Sequence, residues 1–364
     1  MKKKGMVLFV VLLLALVVGQ VYAAQRKPLQ LTLWHMEARP TRMKGIEDLI
    51  NKFNQENPDL NVKVEVQSWG DVYVKAVAAI QANKYPDFIF SLPDFNMNLM
   101  LTRTVREVDD IMKDLQKKYN IYQPAIDPYY YNNHYYSVPL YGMSEVLWYR
   151  KDLFQKAGLD PNKPPKTWSE LLTVCEQLVK KGVVKHPIAV PADWHLATMQ
   201  QIYPLMVTNK AEDIIDSKGK IAFDNPRTVE TFEMFKKLFD MSPPGSAAWQ
   251  WDQPIAAFMN GEVAMVIEKG QYIEQWDLRT TMDPDLLGAA SIPIPDKGGQ
   301  RGTSYYSNGL TLLRSDQEVR SAFKRLVEFL YEPDHMAELL LAAPGLFLPV
   351  TEEAAQSPVL MTNP

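Results

Sequence analysis

At 364 residues the chain is too long for one small core, and 46% hydrophobic with 23% charged residues is an ordinary globular balance that excludes a disordered chain. Net charge is −4, and without Lys2, Lys3 and Lys4 it is −7 (36 Lys+Arg against 43 Asp+Glu), which with no basic run argues against a nucleic-acid partner. The single cysteine, Cys175, excludes an intramolecular disulfide and a metal held by a cysteine cluster.

Residues 1–23 read as a secretory signal peptide. Three lysines open it, an uncharged apolar run at 6–18 follows, and Val21-Tyr22-Ala23 fits a small-residue cleavage site. The apolar run is shorter than the ~20 residues of a spanning helix. No cysteine follows the leader to carry a lipid anchor, which favours a freely diffusing periplasmic protein; separately, the expectation is a monomer with no cofactor and no metal.

Next, "LQLTLW" (29–34) alternates like a strand, and Met43, Ile46, Leu49, Ile50 and Phe53 fall at helical spacing before "NPD" stops the helix. "LNVKVEVQ" (60–67) alternates again, and a helix over 72–82 leads into "PDFIFS". This β-α-β-α-β order requires parallel strands under helices, and such sheets bind ligands at the carboxyl ends of their strands. "YYYNNHYY" (129–136) predicts a hairpin turning at Asn132-Asn133. "YYSVPLYGMSEVLWYRKDLF" (135–154) is an extended run in which Pro139 fixes one torsion and Gly142 can absorb a rotation.

A second α/β pattern follows. Thr167 and Glu170 stand at capping-box spacing before a helix that buries Leu171, Leu172, Cys175 and Leu178 and stops at Gly182. "HPIAVPAD" is a short strand, Pro226 opens an amphipathic helix, and "EVAMVIE" (262–268) is a buried strand. "GTSYYSNGLTLL" (302–313) precedes a last helix with Ser315 and Glu318 at capping-box spacing.

Sequence tests for catalysis fail. There is no GxSxG elbow, HExxH pair or Walker loop, and the five histidines are scattered without ligand spacing. A glycoside hydrolase needs two carboxylates about 5 to 9 Å apart, and nothing singles such a pair out. The chain is therefore read as a non-enzyme.

Four stretches carry a family likeness: "FNQENPDLNVKVEVQSW", the run from "YYSVPLYGM" through "KTWSEL", "AAFMNGEVAMVIEKGQY" and "PGLFLPV". Together they resemble extracellular solute-binding protein family 1, the periplasmic sugar-binding components of ABC importers, to which maltose-binding protein is distantly similar. The resemblance implies a periplasmic-binding-protein-like α/β fold, two lobes joined by a multi-strand hinge with a ligand cleft between them. It places residues 25–140 and 289–331 in the N-terminal lobe, and 141–288 and 332–364 in the C-terminal lobe. The first crossing falls at 139–142, with Tyr141 facing the cleft. Two departures stand out: Gln271-Tyr272 replaces a cleft tryptophan, and the chain stops where the family continues for several dozen residues, as a C-terminally truncated piece would.

Sugars present hydroxyl edges and weakly apolar faces, so their sites need flat aromatic surfaces beside polar groups. Trp34, His35, Trp69, Asp94, Tyr141, Trp194, Trp249, Trp251 and Tyr306 have that character near predicted strand ends or loops, and Gln271 joins them through the resemblance. Any one of these tryptophans could equally be core packing; Trp148 and Trp168 are read as packing. The implied function is capture of a sugar, an oligosaccharide or related polyol, by hinge closure and delivery to an ABC-type membrane permease. Two alternatives stay open: a non-sugar solute such as a phosphorylated polyol, for which Arg39, Arg42 and Arg301 are the candidate arginines, and a secreted carbohydrate-active hydrolase.

Overall fold

The computed structural model describes residues 27–193, 196–212, 214–216 and 218–362. The predicted leader and Trp194 lie outside these residues. The strands, in chain order, are β1 (Leu29–His35), β2 (Leu60–Val66), β3 (Phe88–Ser91), β4 (Tyr130–Tyr131), β5 (His134–Tyr135), β6 (Val138–Ser144), β7 (Val146–Arg150), β8 (Ile188–Ala189), β9 (Met265–Glu268), β10 (Leu287–Ala290) and β11 (Tyr305–Leu312).

The first sheet has the order β2-β1-β3-β11-β6. β1 runs parallel to β2 (Leu29 opposite Leu60, His35 opposite Val66) and to β3. The helices Pro40–Glu56 and Val72–Gln81 make the crossovers that parallel pairing demands. β11 returns from late in the chain and runs antiparallel to both β3 and β6, with a register shift at Asn308/Gly309. Leu31, Leu33, Phe53, Phe88, Leu312 and Phe323 are 0–2% exposed and share one core. Each such side chain contributes roughly 1.5–3 kcal/mol through removal from water.

The second sheet has the order β10-β7-β9-β8. It encloses separate cores, one around Leu147, Phe154, Cys175 and Ile267, another around Trp148, Phe258, Tyr272 and Trp276. Thr167 caps the helix Trp168–Lys180 by accepting from the Glu170 amide, and Asn225 does the same for Pro226–Asp240. The hairpin β4–β5 turns on Asn132 and Asn133, both at positive φ (50° and 65°), as its sequence predicts. The capping box expected at Ser315 is absent: the helix Gln317–Leu330 starts after Asp316, with no side-chain cap.

Three boundaries differ from expectation. The crossing is not at 139–142, because β6 stays paired with β11 as far as Ser144 opposite Tyr305; the chain changes sheets at Glu145. Gly142 serves packing rather than rotation: a Cβ there would stand 2.3 Å from the Tyr305 hydroxyl. Ala289 and Ala290 pair with β7, so the return to the first sheet comes after them. The described residues from 332 to 362 do not join the second lobe, since Met336, Leu339, Leu340, Phe347 and Val350 lie in the first core. The packing of the helix Pro333–Leu341 on the helix Pro40–Glu56 explains that choice, because its apolar face finds a partner there.

Candidate ligand-binding site

A cavity of about 510 Å³ opens between the lobes, within the size range of small-molecule sites. Its wall follows the strand ends. Met36–Arg42 continues from β1, Trp69 from β2 and Leu92 from β3, while Lys269 and Gln271 continue from β9. The carboxyl-edge rule for open α/β sheets thus places residues from both lobes around one space.

Of the expected residues, Trp69, Trp251, Gln271 and Tyr306 line this cavity. The others do not. Trp34 is buried in the first core, donating through Nε1 to Glu65 (2.9 Å) with the Lys75 ammonium over its ring. His35 is fully buried beside Phe90, accepts from the Glu37 amide, and is pushed by burial down to about 4, so its ring is neutral. Tyr141, expected to face the cleft, is fully buried: it stacks on Phe347 at 3.8 Å and bonds Asn308 and Glu37. Asp94 is exposed and accepts from the Tyr73 hydroxyl, and Trp249 packs on the second lobe's core. Strand-end position marks where a wall begins, but side chains alternate, and half of them point back into the core.

The wall also holds residues that aromatic reasoning passes over. Glu37, Arg39, Arg42, Gln200, Asp252, Lys269 and Arg279 all line the cavity. Arg42 is clamped between Glu37 of its own lobe (3.0 Å) and Glu274 of the opposite lobe (2.7 Å). Glu274 also accepts from the Thr41 hydroxyl at 2.6 Å. Burial raises the Glu274 carboxyl, but Thr41 and Arg42 outweigh it and hold it below the usual glutamate range. Arg39 reaches Asp252 at 3.4 Å across the same gap. Glu37, Arg39 and Arg42 were legible by the strand-end rule, since "HMEARPTR" follows directly on β1. Glu274 and Arg279 had no such marker, being on the helix Tyr272–Arg279. Arg301, the third arginine considered for an anionic ligand, is exposed and outside this wall.

The second lobe contributes an ordered polar row. Gln200 Oε1 accepts from the Lys269 ammonium (2.7 Å) and from Trp251 Nε1 (3.2 Å), and the Lys269 ammonium also lies over the Trp251 ring. Gln271 is buried, and its Oε1 lacks a hydrogen-bond partner among the described residues. The lobes meet beside the cavity at Gly270 and Gly345, where a Cβ on Gly270 would stand 1.6 Å from the Gly345 carbonyl oxygen. Apart from Arg279, the charges on the wall come in opposed pairs: Arg42 with Glu37 and Glu274, Arg39 with Asp252, and Lys269 at 3.8 Å from Glu268. Aromatic faces between balanced polar groups suit a neutral, hydroxyl-rich molecule.

One histidine does meet carboxylates, contrary to its sequence spacing. The hairpin brings His134 Nδ1 to 2.6 Å from Asp109 and 3.4 Å from Glu107 on the first lobe's surface. Asp109, which also accepts from the Tyr135 amide, raises the His134 pKa through their hydrogen bond and ties the hairpin to the first lobe.

A family model described as bacterial extracellular solute-binding protein matches residues 37–337. An uncharacterized ABC transporter extracellular-binding protein of Pyrococcus horikoshii is 28% identical over 73% of this chain, which spans 60% of that protein's length. The sn-glycerol-3-phosphate-binding periplasmic protein of Escherichia coli is 23% identical over 85% of the chain and 72% of its own length. Among solved structures, the GacH receptor of Streptomyces glaucescens, studied unliganded and with acarbose, superimposes with a TM-score of 0.76 at 19% identity, covering 92% of this chain and 83% of that one. The fold is thus the two-lobed one of periplasmic binding proteins, and this chain belongs to the bacterial extracellular solute-binding proteins.

Proposed function

We propose that the protein captures a neutral carbohydrate, an oligosaccharide or related polyol, between its two lobes and presents it to the membrane permease of an ABC-type importer. The observation that carries this reading is the composition of the inter-lobe wall, where Trp69, Trp251 and Tyr306 alternate with paired charges and with the unpartnered Gln271 acceptor. The protein acts without turnover, as a periplasmic monomer freed from its leader. A disaccharide-sized ligand of about 23 heavy atoms at ~0.3 kcal/mol each corresponds to ~7 kcal/mol, a micromolar affinity suited to capture and release.

A phosphorylated polyol is the second reading. Arg279 favours it, because its nearest polar partner is Gln275 and its charge, with that of Arg42, helps depress the Arg39 pKa, chiefly lowered by burial. Two like charges near one space would welcome an anion. Calorimetric titration with maltose and with sn-glycerol 3-phosphate separates the two. Binding of maltose at micromolar concentration supports the first reading; binding of the phosphate ester alone replaces it with the second. Release of product from a glycoside panel would overturn both in favour of a hydrolase.

A further inference from the structure

Glu145 stands where the chain passes from the first sheet to the second, between β6 and β7, and is fully buried. All its acceptors are taken by the returning segment. Its carbonyl oxygen accepts from Thr303 (2.7 Å), Oε2 from the Ser304 hydroxyl, and Oε1 from the Tyr306 hydroxyl at 3.0 Å. From β9 the charged groups facing it are Lys269 and Glu268, which act on it in opposite senses. Burial, the largest influence, pushes its carboxyl up to about 7 despite Lys269 and the two hydroxyl donors.

Tyr306 connects this carboxyl to the cavity. Its ring lines the wall, and its hydroxyl also bonds Gln200, the residue that holds Lys269 and Trp251. With Glu145 ionised, the tyrosine proton points at the carboxylate while Gln200 occupies the oxygen, so the hydroxyl has little capacity left. Protonated on Oε1, the oxygen that faces Tyr306, Glu145 becomes a donor itself. The tyrosine oxygen then accepts from it, and the tyrosine proton is released toward the cavity.

We infer that Glu145 is a positioning residue, which through Tyr306 makes the donor presented to the ligand depend on the protonation of the strand crossing. Ligand binding is then stronger on the acid side, by about fivefold, the worth of one neutral hydrogen bond. The affinity arm of the test rests on the proposed carbohydrate reading; a ligand-free arm does not.

In the first arm, tryptophan emission of the ligand-free protein is followed from about pH 5.5 to about pH 8.5, a range that brackets the shifted carboxyl. A transition near neutrality is expected in the wild type, absent in Glu145→Gln and in Trp251→Phe. In the second, maltose is titrated by calorimetry at both ends of that range. The wild type should bind about fivefold more tightly in acid. Glu145→Gln, whose amide donates at every pH, should bind at the acid value throughout, and Tyr306→Phe should lose the difference. Circular dichroism confirms that each variant is folded. A flat emission profile in the wild type, or a transition that persists in folded Glu145→Gln, overturns the inference. If maltose fails to bind at any pH while the emission transition behaves as expected, the ligand assignment has failed and the hinge coupling stands.

Discussion

Replacing Glu274 by alanine removes a carboxylate that reaches across the cleft to two first-lobe partners, Thr41 and Arg42. The Arg42–Glu274 contact is 2.7 Å long, with both side chains under 10% exposed, so it belongs with charged hydrogen bonds of about 1.5–3 kcal/mol. Thr41 adds roughly 1 kcal/mol. The full penalty for stranding a buried charge, about 3–5 kcal/mol, is not reached, because Arg42 keeps Glu37 at 3.0 Å. About 3 kcal/mol in total corresponds to roughly a hundredfold shift away from the arrangement in which the lobes touch. Since apparent affinity scales with the fraction of binding-competent molecules, ligand binding should weaken by up to that factor. Small-angle scattering of the ligand-free protein should show a larger radius of gyration, and calorimetry a weaker constant for whichever probe binds the wild type. Glutamate 274 titrates below its ordinary range. Its contribution is therefore complete above the ordinary glutamate pKa and is lost only as pH falls through the depressed value, so the measurements belong at neutral pH. An unchanged radius of gyration together with an affinity within twofold of the wild type would refute the reasoning.

Other outcomes follow from the same contacts. Glu145 has a folded-state pKa of about 7 against 4.5 for the free side chain, so the folded protein holds the extra proton between those values. Stability therefore falls as pH rises through that window, and Glu145→Gln should flatten the profile and gain about 3 kcal/mol above it, read from urea unfolding across pH. Trp251→Ala removes a stacking face worth about 0.5–1.5 kcal/mol and should weaken sugar binding by about threefold to tenfold in fluorescence titration. Gly270→Ala forces a methyl against the Gly345 carbonyl and should lower unfolding free energy by about 1–3 kcal/mol, measured by denaturant titration.

Much of this architecture was legible because its signals are local. Alternation found β1 and β2, helical spacing found the crossovers, and a pair of asparagines found the β4–β5 turn. The lobe crossing was misplaced because Pro139 and Gly142 look like a hinge in one dimension, whereas β11, more than 160 residues later, keeps them in the first sheet. The cavity was half visible. Trp69, Trp251, Gln271 and Tyr306 could be named, but Trp34 and Tyr141 were not distinguishable from them until the sheet fixed which way each side chain points. Glu274 was invisible for a similar reason: its value comes from Thr41 and Arg42, over 230 positions away.

The position of β11 between β3 and β6 also bears on how the polypeptide is made. Until synthesis reaches Leu312, the first sheet has a gap through its middle, and Phe88, Ile89 and Phe90 present an unpaired apolar edge. The N-terminal half therefore lacks a central strand of its own sheet until β11 is available, and closing that gap is a long-range pairing of the kind that slows folding.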